Sequence, residues 1–219
     1  MRRIIKRILD PFLKFGFSKY YKKPRKYNYE NIEVLVYPEV FPPHLTISTK
    51  ILLDFIKPLN LQNKSVLELG CGSGIISIFA SSKGANVTAS DINPIALDAL
   101  KIASKKNNAS ISILNSDLFD AIKNKSFDYI IINPPYYPKN PENIKEQAWF
   151  CGEDFEYFKK LFQQLPDFLN NTNALMILSQ DCNINKIQEI ASENQLILEN
   201  IFEKKVLSEK NYIFKITRL

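Results

Sequence analysis

Histidine is almost missing from this 219-residue sequence: His44 stands alone, beside only three cysteines, Cys71, Cys151 and Cys182. So few and so scattered, they offer no zinc-ligand spacing and no disulfide framework. A reducing, cytoplasmic setting is therefore expected. No stretch approaches the roughly 18 uninterrupted apolar residues of a membrane span. The opening run MRRIIKRILDPFLKF breaks its apolar pairs with charge and lacks a small-residue cleavage site, which argues against a secretory leader. Internal repeats and low-complexity tracts are absent too. What is left is an ordinary globular composition, 45% apolar and 24% charged, with length for one full domain.

The charge is uneven. Residues 1–30 hold ten basic side chains against Asp10 and Glu30, a net +8 that leaves the remainder of the chain at −2. The sequence thus divides into a basic arm, 1–30, and a nearly neutral body, 31–219. Within the arm the pairs Ile4/Ile5, Ile8/Leu9 and Phe12/Leu13 recur every four residues, as on one helical face, although Pro11 strains such a helix. An arm of this charge would contact phosphates, and its Tyr20, Tyr21, Tyr27 and Tyr29 would stack on bases. A solvated tail with a short packing helix, or a membrane-surface helix, are the other uses.

Through the body, short apolar runs alternate with helical patterns. Strands are expected at 32–37, 65–69, 86–90, 110–114, 127–132 and 173–179. Helices are expected at 46–57, capped by Thr46 or Ser48, and at 75–83, 94–107, 153–169 and 184–194. Two closing strands, LILENIFEKKV and NYIFKITRL, flank a turn. Alternation of this kind implies α/β architecture: a Rossmann-like, mostly parallel sheet of seven strands with helices on both faces and an antiparallel C-terminal hairpin. Such sheets bind ligands beyond the carboxyl ends of their strands.

Four strand ends carry chemistry. The first is ELGCGSG, with Glu68, Gly70, Cys71, Gly72 and Gly74. Its glycines permit a tight turn and close approach of a ligand to backbone. The spacing is not the dinucleotide fingerprint, and no Walker lysine follows. The second end is Asp91, in DINP, suited to ribose hydroxyls or to capping the next helix. The third is NSDLF, where Asp117 would accept from an exocyclic amine and Leu118 would flank a flat ring. The fourth is IIINPPYY, where a β-branched strand stops in Asn133, Pro134, Pro135 and Tyr136. Proline lacks the N–H a sheet needs, so the strand ends there. Jointly the four describe a nucleoside pocket without phosphate-binding equipment, faced by a polar side chain.

In that order the motifs resemble those of class I S-adenosylmethionine-dependent methyltransferases, over about residues 37–219. VLELGCGSG is similar to their cofactor loop, ASDINPIAL to their ribose strand and NSDLF to their adenine contact. NPPY resembles the signature of enzymes that methylate a planar nitrogen. The resemblance implies S-adenosyl-L-methionine as cofactor, held by Thr49, Glu68, Gly70, Cys71, Gly72, Gly74, Asp91, Ile92, Asp117, Leu118 and Asn133. It also implies an acceptor site formed by Asn133, Pro134 and Tyr136. The side-chain oxygen of Asn133 and the carbonyl of Pro134 would accept from the nitrogen, and Tyr136 would stack on it. No general base is required.

Two acceptor classes stay open. AWFCGEDFEYFKKLFQQLPDFL and NYIFKITRL resemble the HemK-like family, which methylates a glutamine in translation release factors; Cys151 stands where that family has glycine. YPEVFPPHLTISTKILL resembles the leading segment of the small-domain methyltransferases of ribosomal and transfer RNA, which would set Phe41, Thr46 and Thr49 beside the cofactor. The expected partner is accordingly a release factor or structured RNA. A nicotinamide dehydrogenase is opposed by the glycine spacing, and a catalytically silent cofactor-binding interaction module by the intact NPPY.

Overall fold

Residues 22–123, 125–206 and 208–219 are described by a computed structural model. The expected N-terminal helix, Tyr20, Tyr21 and most of the basic arm lie outside the described residues. Two strands come first, β1 (Arg25–Tyr29) and β2 (Ile32–Val36), paired antiparallel as a separate ribbon. Next come α1 (Ser48–Ile56), β3 (Ser65–Leu69), α2 (Ile75–Ser82), β4 (Asn86–Asp91), α3 (Pro94–Lys106), β5 (Ile111–Asn115) and β6 (Tyr129–Ile132). The order ends with α4 (Glu156–Gln164), β7 (Asn173–Ser179), α5 (Ile184–Glu193), β8 (Leu196–Val206) and β9 (Glu209–Arg218).

The main sheet has seven strands in the order β5-β4-β3-β6-β7-β9-β8. β5, β4, β3, β6 and β7 run parallel, and β9 pairs antiparallel with both β7 and β8. This is the expected mostly parallel Rossmann-like sheet with an antiparallel terminal hairpin. β-branched side chains fill both faces, as burial under two helical layers demands. In β6, Ile131 packs into the core shared with α1, α2 and α3, whereas Ile130 and Ile132 face the core shared with α4 and α5. The chain leaves β3 outward through β4 and β5, then returns to β6 on the other side of β3. That reversal opens a crevice beyond the ends of β3 and β6.

Local chemistry sets several boundaries. The Asn93 side chain accepts from Ile95 N at 3.0 Å, and Pro94 supplies the first helical residue, so α3 starts where the sequence indicates. α1 differs: its cap position is Ile47, without a side-chain bond, and Ser48 Oγ donates instead to Thr46 Oγ1 at 3.4 Å. β6 begins at Tyr129 rather than residue 127, because Asp128 turns back to accept from Ser65 N and Ser65 Oγ, both at 2.8 Å. The helix expected over 153–169 is shorter. Phe155 takes a left-handed backbone (φ 61°), α4 runs from Glu156 to Gln164, and a 3-10 turn carries Pro166.

β1 falls inside the stretch assigned to the arm. Its Tyr29 is 8% exposed, donates to Asp54 Oδ1 at 3.1 Å and meets the Phe79 ring edge-on at 5.3 Å. Tyr27 packs edge-on against His44. Tyr29 is therefore a core residue and not a free platform for bases; its ring gains more from burial than from solvent.

Candidate functional site

A cavity of about 440 Å³ occupies the crevice, a size typical of small-molecule sites. Its floor is the turn after β3. Gly70 N and Cys71 N both donate to Ser90 O at 2.9 Å, and Gly74 N donates to Cys71 O at 2.8 Å, which folds the turn tightly against β4. Gly74 is packed from below: a Cβ there would lie 2.3 Å from Leu100 Cδ1. Gly72 lies under Phe41, and both line the cavity.

The carboxylates at the strand ends are held in place. Asp91 Oδ2 accepts from Gly72 N at 2.7 Å and Asp91 Oδ1 from Asn93 N at 2.9 Å, so the ribose-side acid also braces the glycine turn. Glu68 is buried and accepts from Ser77 N at 2.8 Å and from Ser77 Oγ. Burial pushes the Glu68 carboxyl up to about 8, against the lowering effect of the Ser77 bonds and with a further push from Asp91. A carboxyl raised in the folded state stabilises fully below its unfolded value, about 4.5, and that contribution is lost as pH rises through about 8. Without ligand, the protein should thus lose on the order of 5 kcal/mol between acid and alkaline conditions through this group. Glu68→Gln should flatten the dependence. Urea unfolding at several pH values checks it; equal slopes for both proteins would refute the assignment.

Of the residues expected at the cofactor, Thr49, Glu68, Gly70, Cys71, Gly72, Asp91, Ile92, Asp117, Leu118 and Asn133 line this one cavity. Gly74 does not, being turned onto Leu100. Pro134 is buried and Tyr136 lies outside the lining; the Tyr136 ring packs on the core and 4.7 Å from Tyr137. Thr46 is outside as well, whereas Phe41 is in the wall. His44 Nε2 lies 2.8 Å from the Lys26 carbonyl, tying the proline loop to β1.

Asn133 is half-buried in the wall, and among the described residues nothing hydrogen-bonds its side-chain amide. The opposite wall escaped sequence reading. It is the irregular stretch after NPPY, which contributes Asn140, Pro141, Ile144, Gln147 and Phe150, and then Tyr157 and Lys160 of α4. The base of this loop is stapled by Tyr137 N→Trp149 O (3.1 Å), Cys151 N→Tyr137 O (3.0 Å) and Gly152 N→Lys139 O (3.1 Å). Trp149 touches Phe41 at 5.0 Å between ring centroids, joining the two loops over the cavity. The available signal was length: connections this long with only a short 3-10 turn, here Glu146–Ala148, are mostly functional.

The charges select the ligand. Glu68, Asp91, Asp117 and Glu156 line the cavity against one ammonium, Lys160, which is engaged by Asp117 at 2.6 Å and Asp120 at 2.7 Å. Among the described residues a polyphosphate finds no free cation in this cavity, while a cationic nucleoside meets acids. Together with the sheet order, this donor set fits S-adenosylmethionine. The fold and site are those of a class I methyltransferase, an enzyme that uses S-adenosylmethionine.

The family model described as methyltransferase small domain matches residues 31–218, and the chain belongs to that family. It is 38% identical over 156 residues to a candidate protein N5-glutamine methyltransferase of Methanocaldococcus jannaschii, covering 68% of this chain and 76% of that protein. Among solved structures it resembles the E. cuniculi complex responsible for methylation of the eRF1 translation termination factor, with TM-score 0.62, 21% identity and coverage of 83% and 99%. It also resembles the T. thermophilus 16S rRNA guanine-N2 methyltransferase bound to AdoMet and guanosine, with TM-score 0.59 and 16% identity; the match covers 88% of this chain and 50% of that one. Among the described residues no helix is long and apolar enough to cross a membrane.

Proposed function

We propose that this enzyme methylates the side-chain nitrogen of a glutamine in a protein, with a translation factor as the first candidate. The observation that carries the reading is the unpartnered amide of Asn133 at the end of β6, in the cavity wall. S-adenosylmethionine, when bound, supplies an electrophilic methyl group. Asn133 Oδ1 then accepts one N–H of the substrate amide and turns the nitrogen toward that methyl. Pro134 and Pro135 stiffen the loop, so the acceptor is in place before the substrate arrives. The amide needs no prior deprotonation; its surplus proton departs to water after transfer. Phe41 and Phe150 line the same cavity as Asn133 and add apolar surface beside it.

The surface beside the acceptor favours protein over nucleic acid. Residues 138–156 carry Lys139 and Lys145 against Glu142, Glu146, Glu153, Asp154 and Glu156, a net −3. Lys139 is moreover drawn to Glu142 (3.6 Å) and Glu146 (3.5 Å). A phosphate backbone would be repelled from this wall. The M. jannaschii relative points the same way. An RNA base is the second reading, motivated by the basic residues 1–30, which would contact phosphates.

Radiolabelled S-adenosylmethionine, offered with release factors, ribosomal RNA and transfer RNA, decides between them. Label should enter protein, survive raised salt and be absent with Asn133→Ala. Label in RNA, falling with salt and with removal of residues 1–21, would replace the glutamine reading by the base reading. A shortening to residue 21 leaves β1 intact.

A further inference from the structure

Leu118 sits at the cavity with a left-handed backbone, φ 51°. A branched residue holds such a conformation only where its surroundings enforce it. Part of the enforcement is local: Ser116 Oγ donates to Leu118 O at 2.8 Å and accepts from Ala121 N at 3.0 Å. The rest comes from α4, one turn of which grips the loop, with Lys160 at the cavity rim and Gln164 beyond the lining. Lys160 Nζ bridges Asp117 Oδ2 (2.6 Å) and Asp120 Oδ2 (2.7 Å). Gln164 Nε2 donates to Asp120 Oδ1 at 2.6 Å, and Gln164 Oε1 accepts from Phe119 N at 3.2 Å. Lys160 and Gln164 stand four residues apart, so they share one helix face and act on one segment.

We propose that Lys160 and Gln164 are positioning residues that set the base selectivity of the cofactor pocket. The inference rests on the reading that the base lies against Asp117 and Leu118. With Lys160 on Oδ2, Asp117 presents Oδ1 as the oxygen available to an exocyclic amine. An inosine base places a carbonyl there, so two acceptors would oppose each other. Without the clamp, the half-exposed Asp117 carboxylate is free to turn to solvent and Leu118 to relax, and the pocket accepts either base. Because α4 follows directly on the acceptor loop, the same helix face ties the base end of the cavity to its opposite wall.

Calorimetric titration of the full chain with S-adenosylhomocysteine, and with its analogue bearing inosine in place of adenosine, tests this without turnover. The native protein should prefer the adenosine form by about tenfold or more, the scale of one hydrogen bond to a charged acceptor. Lys160→Ala should cut the preference to about twofold, Gln164→Ala should reduce it less, and Lys160→Arg should retain most of it. Thermal midpoints are measured alongside. A merely structural role would lower the midpoint and weaken both ligands in equal proportion, leaving the preference unchanged. If the preference survives Lys160→Ala but collapses in Asp117→Asn, the clamp is refuted and the base placement stands. If it survives both, the base placement itself is refuted.

Discussion

Asn133→Ala should abolish nearly all turnover, by about two to three orders of magnitude, while affinity for S-adenosylhomocysteine stays within about twofold. The reasoning starts from the strand. β6 delivers Asn133 to the cavity with its amide unpaired, and the prolines that follow leave the backbone little freedom to let water or another side chain substitute for it. An amide nitrogen is a poor nucleophile because its lone pair is delocalised. An acceptor that favours the pyramidal nitrogen helps more in the transition state than in the ground state, so its loss falls on kcat and not on binding. Asn133→Asp should sit between, since it keeps an oxygen acceptor but adds a charge. Single-turnover rates with labelled cofactor, alongside calorimetry, would separate the two effects. Native turnover in the alanine variant would remove Asn133 from the chemistry.

The second large effect is structural. Gly74→Ala should destabilise the protein by about 3 kcal/mol, lowering the midpoint by roughly 10 °C. Two penalties combine there: a left-handed φ of 71°, and a Cβ position 2.3 Å from Leu100 Cδ1, whose side chain is fully buried. Gly70 separates them. Its φ is 73°, but nothing lies within 4 Å of its Cβ position. Gly70→Ala should therefore cost only the conformational part, about 1 kcal/mol. Denaturant unfolding of the ligand-free proteins measures the difference, and equal costs at the two positions would discard the steric account. Gly74 belongs to the scaffold that shapes the turn, whereas Gly70 and Gly72 line the cavity.

Where periodicity and packing speak together, the sequence was legible. The runs SVLEL, NALMILS and LILENIFEKKV have the bounds of β3, β7 and β8 because each is set off by turn residues. The strand-end rule likewise brought ten expected cofactor residues to a single cavity, since parallel strands deliver their C-terminal turns to one edge of the sheet. The failures have equally physical causes. β1 reads as a charged arm because only one of its residues, Tyr29, is buried, and its pairing depends on β2. Pro134 and Tyr136 follow Asn133 along the chain but lie outside the cavity lining; outside a regular strand nothing in the spacing says which of successive residues reach it. The wall from Asn140 to Phe150 is organised by backbone hydrogen bonds, which leave no pattern of residue types.

The order of the sheet carries a consequence for biosynthesis. β9 follows β8 in the chain but lies between β7 and β8, and its Ile213, Phe214 and Ile216 are buried. As the chain emerges from the ribosome, β8 has no edge to join until residues 209–218 are made. Until then β7 offers an open, apolar edge to any passing strand. The cavity, although lined by residues before 161, thus waits on a late piece of synthesis for its platform. A stalled or clipped chain would be hazardous to the cell as well as inactive, a ready target for chaperones and proteases.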